Sequence, residues 1–264
     1  MGTSVGCYAS CLGDCQGGDS REHYVSRSVL ELIGNKVQVS GFPWQQPDEP
    51  MEIGIGALTS KVLCRRHNSE ISPLDAAGQV FLRVLKTSFD EALQGNHFAP
   101  EVFTIDGSRL ERWLLKTLCG ILAISGAVEV PDKWITILFG REPFPEGSGL
   151  HLFGEPGRAG WFFNLVRVIT VLDKKRNIAG AKFGLGGLAL VLAFGKLRFE
   201  EDGMQSLYRP HAILIENGGT VKRLEFSWPP GTGGGSVYLN LGGPIEDESK
   251  TLRLIVMPDA KRTK

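Results

Sequence analysis

The feature that most constrains this chain is the distribution of its five cysteines. Cys7, Cys11 and Cys15 crowd the first fifteen residues, and Cys64 lies three residues before His67. A Cys-x-x-His pair lets both side chains converge on one ion, and the early cluster can supply the other two ligands of a tetrahedral site. The spacing therefore predicts a structural zinc site of Cys11, Cys15, Cys64 and His67, with Cys7 as the alternative member of the early pair. The competing interpretation is that these are ordinary thiols in a loose N-terminal segment.

Composition and charge limit the class of protein. The 264-residue chain is 42% hydrophobic and 22% charged, and its 29 basic and 29 acidic residues leave no net charge. A long-range positive field is thereby excluded, so any contact with nucleic acid must come from a local patch. Met1 to Ser20 lacks the basic start and apolar core of a signal peptide, and the longest apolar run, Phe183 to Phe194, is too short to span a bilayer. We expect a cytoplasmic protein without a membrane partner, and in the cytoplasm clustered cysteines favour metal binding over disulfides.

Two short motifs frame the middle of the predicted zinc module. Glu22-His23-Tyr24 follows the cysteine cluster, and Cys64-Arg65-Arg66-His67-Asn68 stands where a helix is predicted to begin. An acidic–His–apolar step followed by a strand and then Cys-x-x-(Cys or His)-Asn resembles the ββα-metal pattern of the HNH endonuclease family. The match covers about Cys7 to Asp75. Two positions depart from the family: Ser26 falls where a proline is common, and His67 replaces a more usual cysteine.

The resemblance implies a chemistry for the matched positions. In HNH nucleases an acidic residue and a later Asn or His hold a divalent ion, while the intervening His acts as general base. Carried over, Glu22 and Asn68 would bind Mg²⁺ or Mn²⁺, and His23 would activate the attacking water. Adjacent strand residues point to opposite faces, so Glu22 and His23 can act together only at a strand end or bend. Arg65 and Arg66, beside Asn68 at the predicted helix start, are the candidate phosphate-binding residues.

Hydrophobic periodicity predicts a helical segment and then a strand-rich half. Ser72-Pro73 fits the start of a capped helix that continues to Gly95, and Asp106 to Ile124 has the spacing of a second helix. Short apolar runs predict strands, at Lys36 to Ser40, Ile53 to Leu58, Trp134 to Phe139, Trp161 to Leu172, Ala179 to Phe183, Leu188 to Phe194, His211 to Glu216, Val221 to Trp228 and Leu252 to Val256.

The predicted fold class is therefore α+β. It comprises an N-terminal zinc-bound ββα-metal module at 1–75, a helical segment at 76–130 and a mainly antiparallel, β-rich C-terminal domain at 131–264.

The leading functional hypothesis is an HNH-like endonuclease that hydrolyses phosphodiester bonds of nucleic acid. DNA is the favoured substrate, and bacterial defence is the suggested role. The endonuclease would act as a homodimer or beside a protein partner. The first alternative is a non-catalytic zinc-stabilised module that binds nucleic acid or a protein, which the neutral charge and Ser26 favour. A second alternative, another enzyme class in the β-rich half, lacks a catalytic triad or a cofactor motif. The glycine-rich Pro229 to Ser236 lacks the lysine of a phosphate-binding loop.

Overall fold

A computed structural model gives the arrangement of most of the chain. It describes residues 6–40, 51–97, 99–126, 129–153, 165–173, 175, 177–185, 188–195, 206–241 and 254–257. These ranges contain five α-helices and fourteen β-strands, and most of the strand pairs are antiparallel, so the predicted α+β class is confirmed. No helix in these ranges combines the length and the apolar content needed to cross a membrane.

The chain divides into two compact units. The first unit comprises Met1–Gln79 and Arg109–Phe144, and the second comprises Val80–Ser108 and Pro145–Lys264. Two of the three boundaries fall inside helices, after Gln79 and after Ser108, and the third follows Phe144. The predicted domain boundaries at 75 and 130 stay a prediction.

The first unit is built around two paired strands and the helix that follows them. Its elements are β1 (Asp19–His23), α1 (Arg27–Ile33), β2 (Lys36–Ser40), β3 (Met51–Gly54), β4 (Thr59–Cys64), α2 (Arg65–Ile71), the start of α3 (Leu74–Leu93), most of α4 (Gly107–Ser125) and α5 (Asp132–Leu138). Strand β1 pairs antiparallel with β4, and α2 begins directly after β4. Strands β2 and β3 also pair antiparallel with each other. The order β1, β4, α2 is a ββα arrangement with α1 and the β2–β3 pair inserted.

Helix α4 supplies much of the core of the first unit. Its side chains are buried on every face, including Trp113. Gly78 of α3 lies directly against the Trp113 ring, where an added Cβ would stand 2.4 Å from the indole. Gly120 of α4 lies equally close to the Tyr24 side chain. Glycine at both positions allows close approach, since no larger residue fits there without a shift.

The second unit is rich in strands. They are β5 (Val102–Asp106), β6 (Gly149–Phe153), β7 (Leu165–Leu172), β8 (Ile178–Leu185), β9 (Leu188–Ala193), β10 (Ser206–Tyr208), β11 (Ala212–Asn217), β12 (Thr220–Ser227), β13 (Ser236–Asn240) and β14 (Leu254–Met257). Five of them pair antiparallel in the order β10-β6-β9-β8-β7. The others pair in the order β14-β13-β11-β12-β5, in which β11–β13 and β12–β5 are parallel.

Two of the predicted strands are wrong. Trp134 to Phe139 lies mostly within the helix α5, which begins after Pro131 and buries Trp134, Ile135, Ile137 and Leu138. A short continuous apolar run is compatible with a buried helix or a buried strand, so periodicity could not separate them. Ile53 to Leu58 is divided, because β3 ends at Gly54 and a 3₁₀ turn at Ile55–Ala57 follows. The start of the predicted Trp161 to Leu172 strand lies outside the described residues.

Candidate metal centre

Four side chains of the first unit converge on one point. Cys7, Cys15, Cys64 and His67 each offer one ligand atom, and all four atoms lie within 4.8 Å of one another. The His67 Nδ1 atom is 3.3, 3.7 and 3.3 Å from the Sγ atoms of Cys7, Cys15 and Cys64. With Zn–S near 2.3 Å and Zn–N near 2.0 Å, a tetrahedral site has sulfur–nitrogen edges of about 3.5 Å. Three thiols and one imidazole at these separations are compatible with a structural zinc site.

Local backbone structure explains how Cys64 and His67 come together. Cys64 is the N-terminal cap of α2, and its Sγ accepts the backbone N–H of His67 at 3.5 Å. Burial would raise the pKa of the Cys64 thiol, but the N–H groups of His67 and Gln16 outweigh that effect and lower it. These groups therefore favour the thiolate, which is the form that binds zinc.

The early pair of ligands is Cys7 with Cys15, and Cys11 does not belong to the group. The N–H of Tyr8 donates to the Val62 carbonyl, which holds Cys7 beside β4. The N–H of Arg66 donates to the Gln16 carbonyl, which holds Cys15 beside α2. Between these two contacts a 3₁₀ turn at Ser10–Leu12 leaves Cys11 exposed, and its thiol lies beside the Asp132 side chain. The preferred pair of Cys11 with Cys15 is thus corrected to the alternative that includes Cys7.

A carboxylate orients the histidine of this group. The Nε2 atom of His67 is 2.7 Å from Asp14 Oδ1, and the imidazole is fully buried. Because Nδ1 faces the three sulfur atoms, Nε2 carries the proton and donates it to Asp14. This hydrogen bond, aided by Arg66, holds the pKa of Asp14 below its usual value. A carboxylate behind a ligating imidazole fixes its tautomer and orientation, as in many zinc sites.

A second polar cluster surrounds Glu22, the predicted metal ligand. Glu22 is 6% exposed, and the Asn68 side chain lies close enough to lower the pKa of its carboxyl. The structure therefore brings Glu22 and Asn68 together. The Nζ atom of Lys116 lies 2.6 Å from Glu22 Oε1 and 2.7 Å from Asp75 Oδ1, and its side chain is only 2% exposed. Burial, opposed by Lys116, leaves the pKa of Glu22 raised.

Ser26 extends this cluster into the core. Its hydroxyl donates to Asp75 Oδ1 and accepts the indole N–H of Trp113 at 2.6 Å. The position where the family commonly has proline therefore holds a buried hydrogen-bonding residue. Ser26, Asp75 and Lys116 form one network of hydrogen bonds and ion pairs that ends at Glu22.

The predicted base, His23, lies on the other face of β1. Arg21 and His23, two residues apart, line an open cavity of about 400 Å³ together with Arg27, Ile55, Gly56 and Thr59. Ser20 and Glu22 point toward α2, where Asn68 donates to Ser20 at 2.9 Å. Burial, followed by the charges of Arg27 and Lys116, lowers the pKa of His23. His23 is the last residue of β1, and the imidazole is neutral at pH 7.

The two predicted phosphate-binding arginines have different surroundings. Arg65 is exposed at the start of α2 and packs its stem on Gly17. Arg66 forms an ion pair of 2.5 Å with Asp14, the carboxylate that also contacts His67. Arg66 thus belongs to the surroundings of Cys7, Cys15, Cys64 and His67, the candidate zinc group, whereas Arg65 is exposed to solvent.

Sequence reasoning missed Asp14, Asp75 and Lys116. Lys116 carried no clear signal, because Arg109, Arg112 and Lys116 recur at helical spacing and indicate a solvated face. Its partner could not be named either, since Glu22 lies 94 residues away in the chain. Asp14 and Asp75 carry no distinguishing spacing.

Comparison with known proteins does not identify a family for this chain. The chain matches no protein-family model, no curated protein and no solved structure.

Proposed function

We propose that the first unit is a zinc-stabilised binding module with the ββα arrangement of a metal-dependent nuclease but without its second metal ion. The observation that carries this proposal is Lys116. Its ammonium lies against both Glu22 and Asp75 and occupies the position of a divalent ion in the nuclease interpretation.

The energetics of burial support this role for Lys116. A divalent ion at Glu22 would have to displace a lysine that is 2% exposed, and the ammonium would then need another partner. Glu22 itself is almost fully covered, so a phosphate could reach an ion there only after rearrangement. Mg²⁺ also prefers to keep several of its water ligands, and the buried surroundings of the Glu22 carboxylate leave little space for them.

A second candidate is the HNH-like endonuclease, and a separate observation favours it. The Asn68 side chain lies close to the Glu22 carboxyl, and His23 follows Glu22 at the end of β1. A neutral imidazole beside an open cavity is suited to accept a proton from water. In this candidate Mg²⁺ or Mn²⁺ would replace the Lys116 ammonium when nucleic acid binds.

Plasmid nicking by the zinc-loaded full chain separates the two candidates. Wild-type protein is incubated with Mg²⁺ or Mn²⁺ and, as control, with EDTA during the short assay. The binding module predicts one tightly held zinc per chain and no cleavage above the EDTA control. Divalent-dependent cleavage that is lost in His23→Ala, and kept in the matched variant His97→Ala of an exposed histidine, would establish the nuclease instead.

A further inference from the structure

The cavity beside β1 has the chemistry of an anion site. Arg21 and Arg27 line it together with His23 and Thr59, and none of the described residues of its lining is acidic. Arginine presents a planar set of donors that matches the oxygens of a phosphate group. The remaining lining is Ile55 and Gly56, an apolar wall of the kind that packs against a sugar or a base.

Charged residues around the cavity extend its anion-binding character along the strands. Lys61 of β4 is exposed, and strand alternation places it on the same face as Thr59, the register partner of His23. Two acidic residues belong to the surroundings. Asp19 starts β1, and Glu31 accepts a hydrogen bond from Arg27 Nε at 2.7 Å. That contact uses one edge of the Arg27 guanidinium and leaves the terminal nitrogen atoms for another ligand.

We propose that this cavity binds a phosphate group, held by Arg21 and Arg27 with the sugar or base against Ile55. The inference rests on the proposed binding module and names the chemistry of its ligand. About 400 Å³ is room for one nucleotide unit rather than for a bare phosphate ion. The phosphate could come from the backbone of a nucleic-acid strand or from a free nucleotide.

Binding assays with zinc-loaded full chain in phosphate-free buffer test the proposal, with Mg²⁺ and Mn²⁺ omitted so that cleavage cannot contribute. One arm measures fluorescence anisotropy of labelled single-stranded and duplex 12-mers. The other arm titrates adenosine monophosphate and inorganic phosphate by calorimetry. We expect saturable binding that Arg21→Gln and Arg27→Gln each weaken about tenfold, since a charge-assisted contact is lost. Lys133→Gln, which removes one exposed charge on α5, should bind like wild type, and Glu31→Gln should bind at least as tightly.

The two arms identify the source of the phosphate. Arginine-dependent binding of the 12-mers supports a nucleic-acid backbone, and the salt slope of each arginine variant should then be smaller by about one. Arginine-dependent binding of the monophosphate alone supports a free nucleotide. No binding in either arm, or affinities that the arginine variants leave unchanged in proteins with normal zinc content, would overturn the proposal. The nicking assay is unaffected by these outcomes, so a failure here is distinct from a failure of the binding-module function.

Discussion

At the scale of single residues, the backbone decides which of three equally spaced cysteines can reach the zinc group. Tyr8 and Gln16, the neighbours of Cys7 and Cys15, are each hydrogen-bonded to the β4–α2 segment, and Cys11 lies on the turn between them. Spacing could not make this choice, because Cys7, Cys11 and Cys15 are separated by equal intervals. The site could therefore be predicted as a type, three cysteines with His67, but which of the early cysteines belong to it depends on long-range contacts.

The first prediction distinguishes these cysteines. Cys7→Ser should bind zinc much more weakly than wild type, because a serine hydroxyl is a poor zinc ligand, whereas Cys11→Ser should retain one zinc per chain. Zinc is quantified by atomic emission after dialysis and by competition with a chromogenic chelator. Loss of zinc in Cys11→Ser with retention in Cys7→Ser would show instead that the early ligands are Cys11 and Cys15.

A second residue-scale prediction concerns His151 of β6. Burial, followed by the charge of Arg209, lowers its pKa from 6.5 to about 4. As pH falls, the unfolded chain takes up the proton first, so stability present above pH 6.5 is lost progressively down to pH 4. A shift of this size corresponds to up to about 3 kcal/mol. Urea unfolding at pH 7, 5.5 and 4 should show this loss in wild type beyond that in His151→Gln.

The comparison between the two proteins is its own control. Acid also releases zinc from thiolates, but that effect is common to wild type and His151→Gln because the zinc group lies in the other unit. Parallel pH profiles for the two proteins would show that His151 does not couple folding to protonation.

At the scale of elements, helices with long amphipathic patterns were predictable, whereas the seven-residue helices α1 and α5 were not. The predicted helix at Asp106 to Ile124 is confirmed within one residue by α4, and the start at Ser72-Pro73 is confirmed by α3. Helix α1 was not predicted at all. Its seven residues span two turns, too few for periodicity to stand out, and tertiary packing of Val29 and Leu30 stabilises it.

Close packing of α3 against α4 in the first unit gives the third prediction. Gly78→Ala would place a Cβ within 2.4 Å of the Trp113 ring, and the indole cannot retreat freely because Ser26 binds its N–H. Overpacking costs about 1–3 kcal/mol, which exceeds the helix propensity gained from alanine. We expect a net loss of about 1–2 kcal/mol in urea unfolding.

Gly54→Ala is the matched control for this substitution. Gly54 has φ −68° and ψ 141°, which alanine adopts freely, and an added Cβ there would meet nothing within 4 Å. Its stability should stay within about 0.5 kcal/mol of wild type. Equal stability of the two alanine variants would mean that the Gly78 contact carries no constraint.

At the scale of the whole molecule, the predicted α+β fold class was correct because composition and the alternation of hydrophobic residues along the chain reflect directly which side chains are buried. The buried charge network was beyond prediction, because Lys116, Glu22 and Asp75 come from distant parts of the chain. The zero net charge likewise concealed a local asymmetry, since the part of the cavity lining at β1 that the structure describes contains two arginines and no acidic residue. Net charge constrains long-range fields, and only the fold determines where individual charges gather.

The division into two units gives the last prediction. All four residues of the zinc group belong to the first unit, and they join the N-terminal segment to the start of α2. A metal that binds only the folded form stabilises it, so its removal should destabilise the elements that it joins. Hydrogen exchange measured by mass spectrometry, with and without a zinc chelator, should show at least about tenfold faster exchange in β1, β4 and α2. Amides of β9 and β11 in the second unit should exchange at unchanged rates, because no zinc ligand lies in their strands. Equal acceleration in both units would show that they unfold together, and no acceleration in β1 and β4 would remove zinc as their structural support.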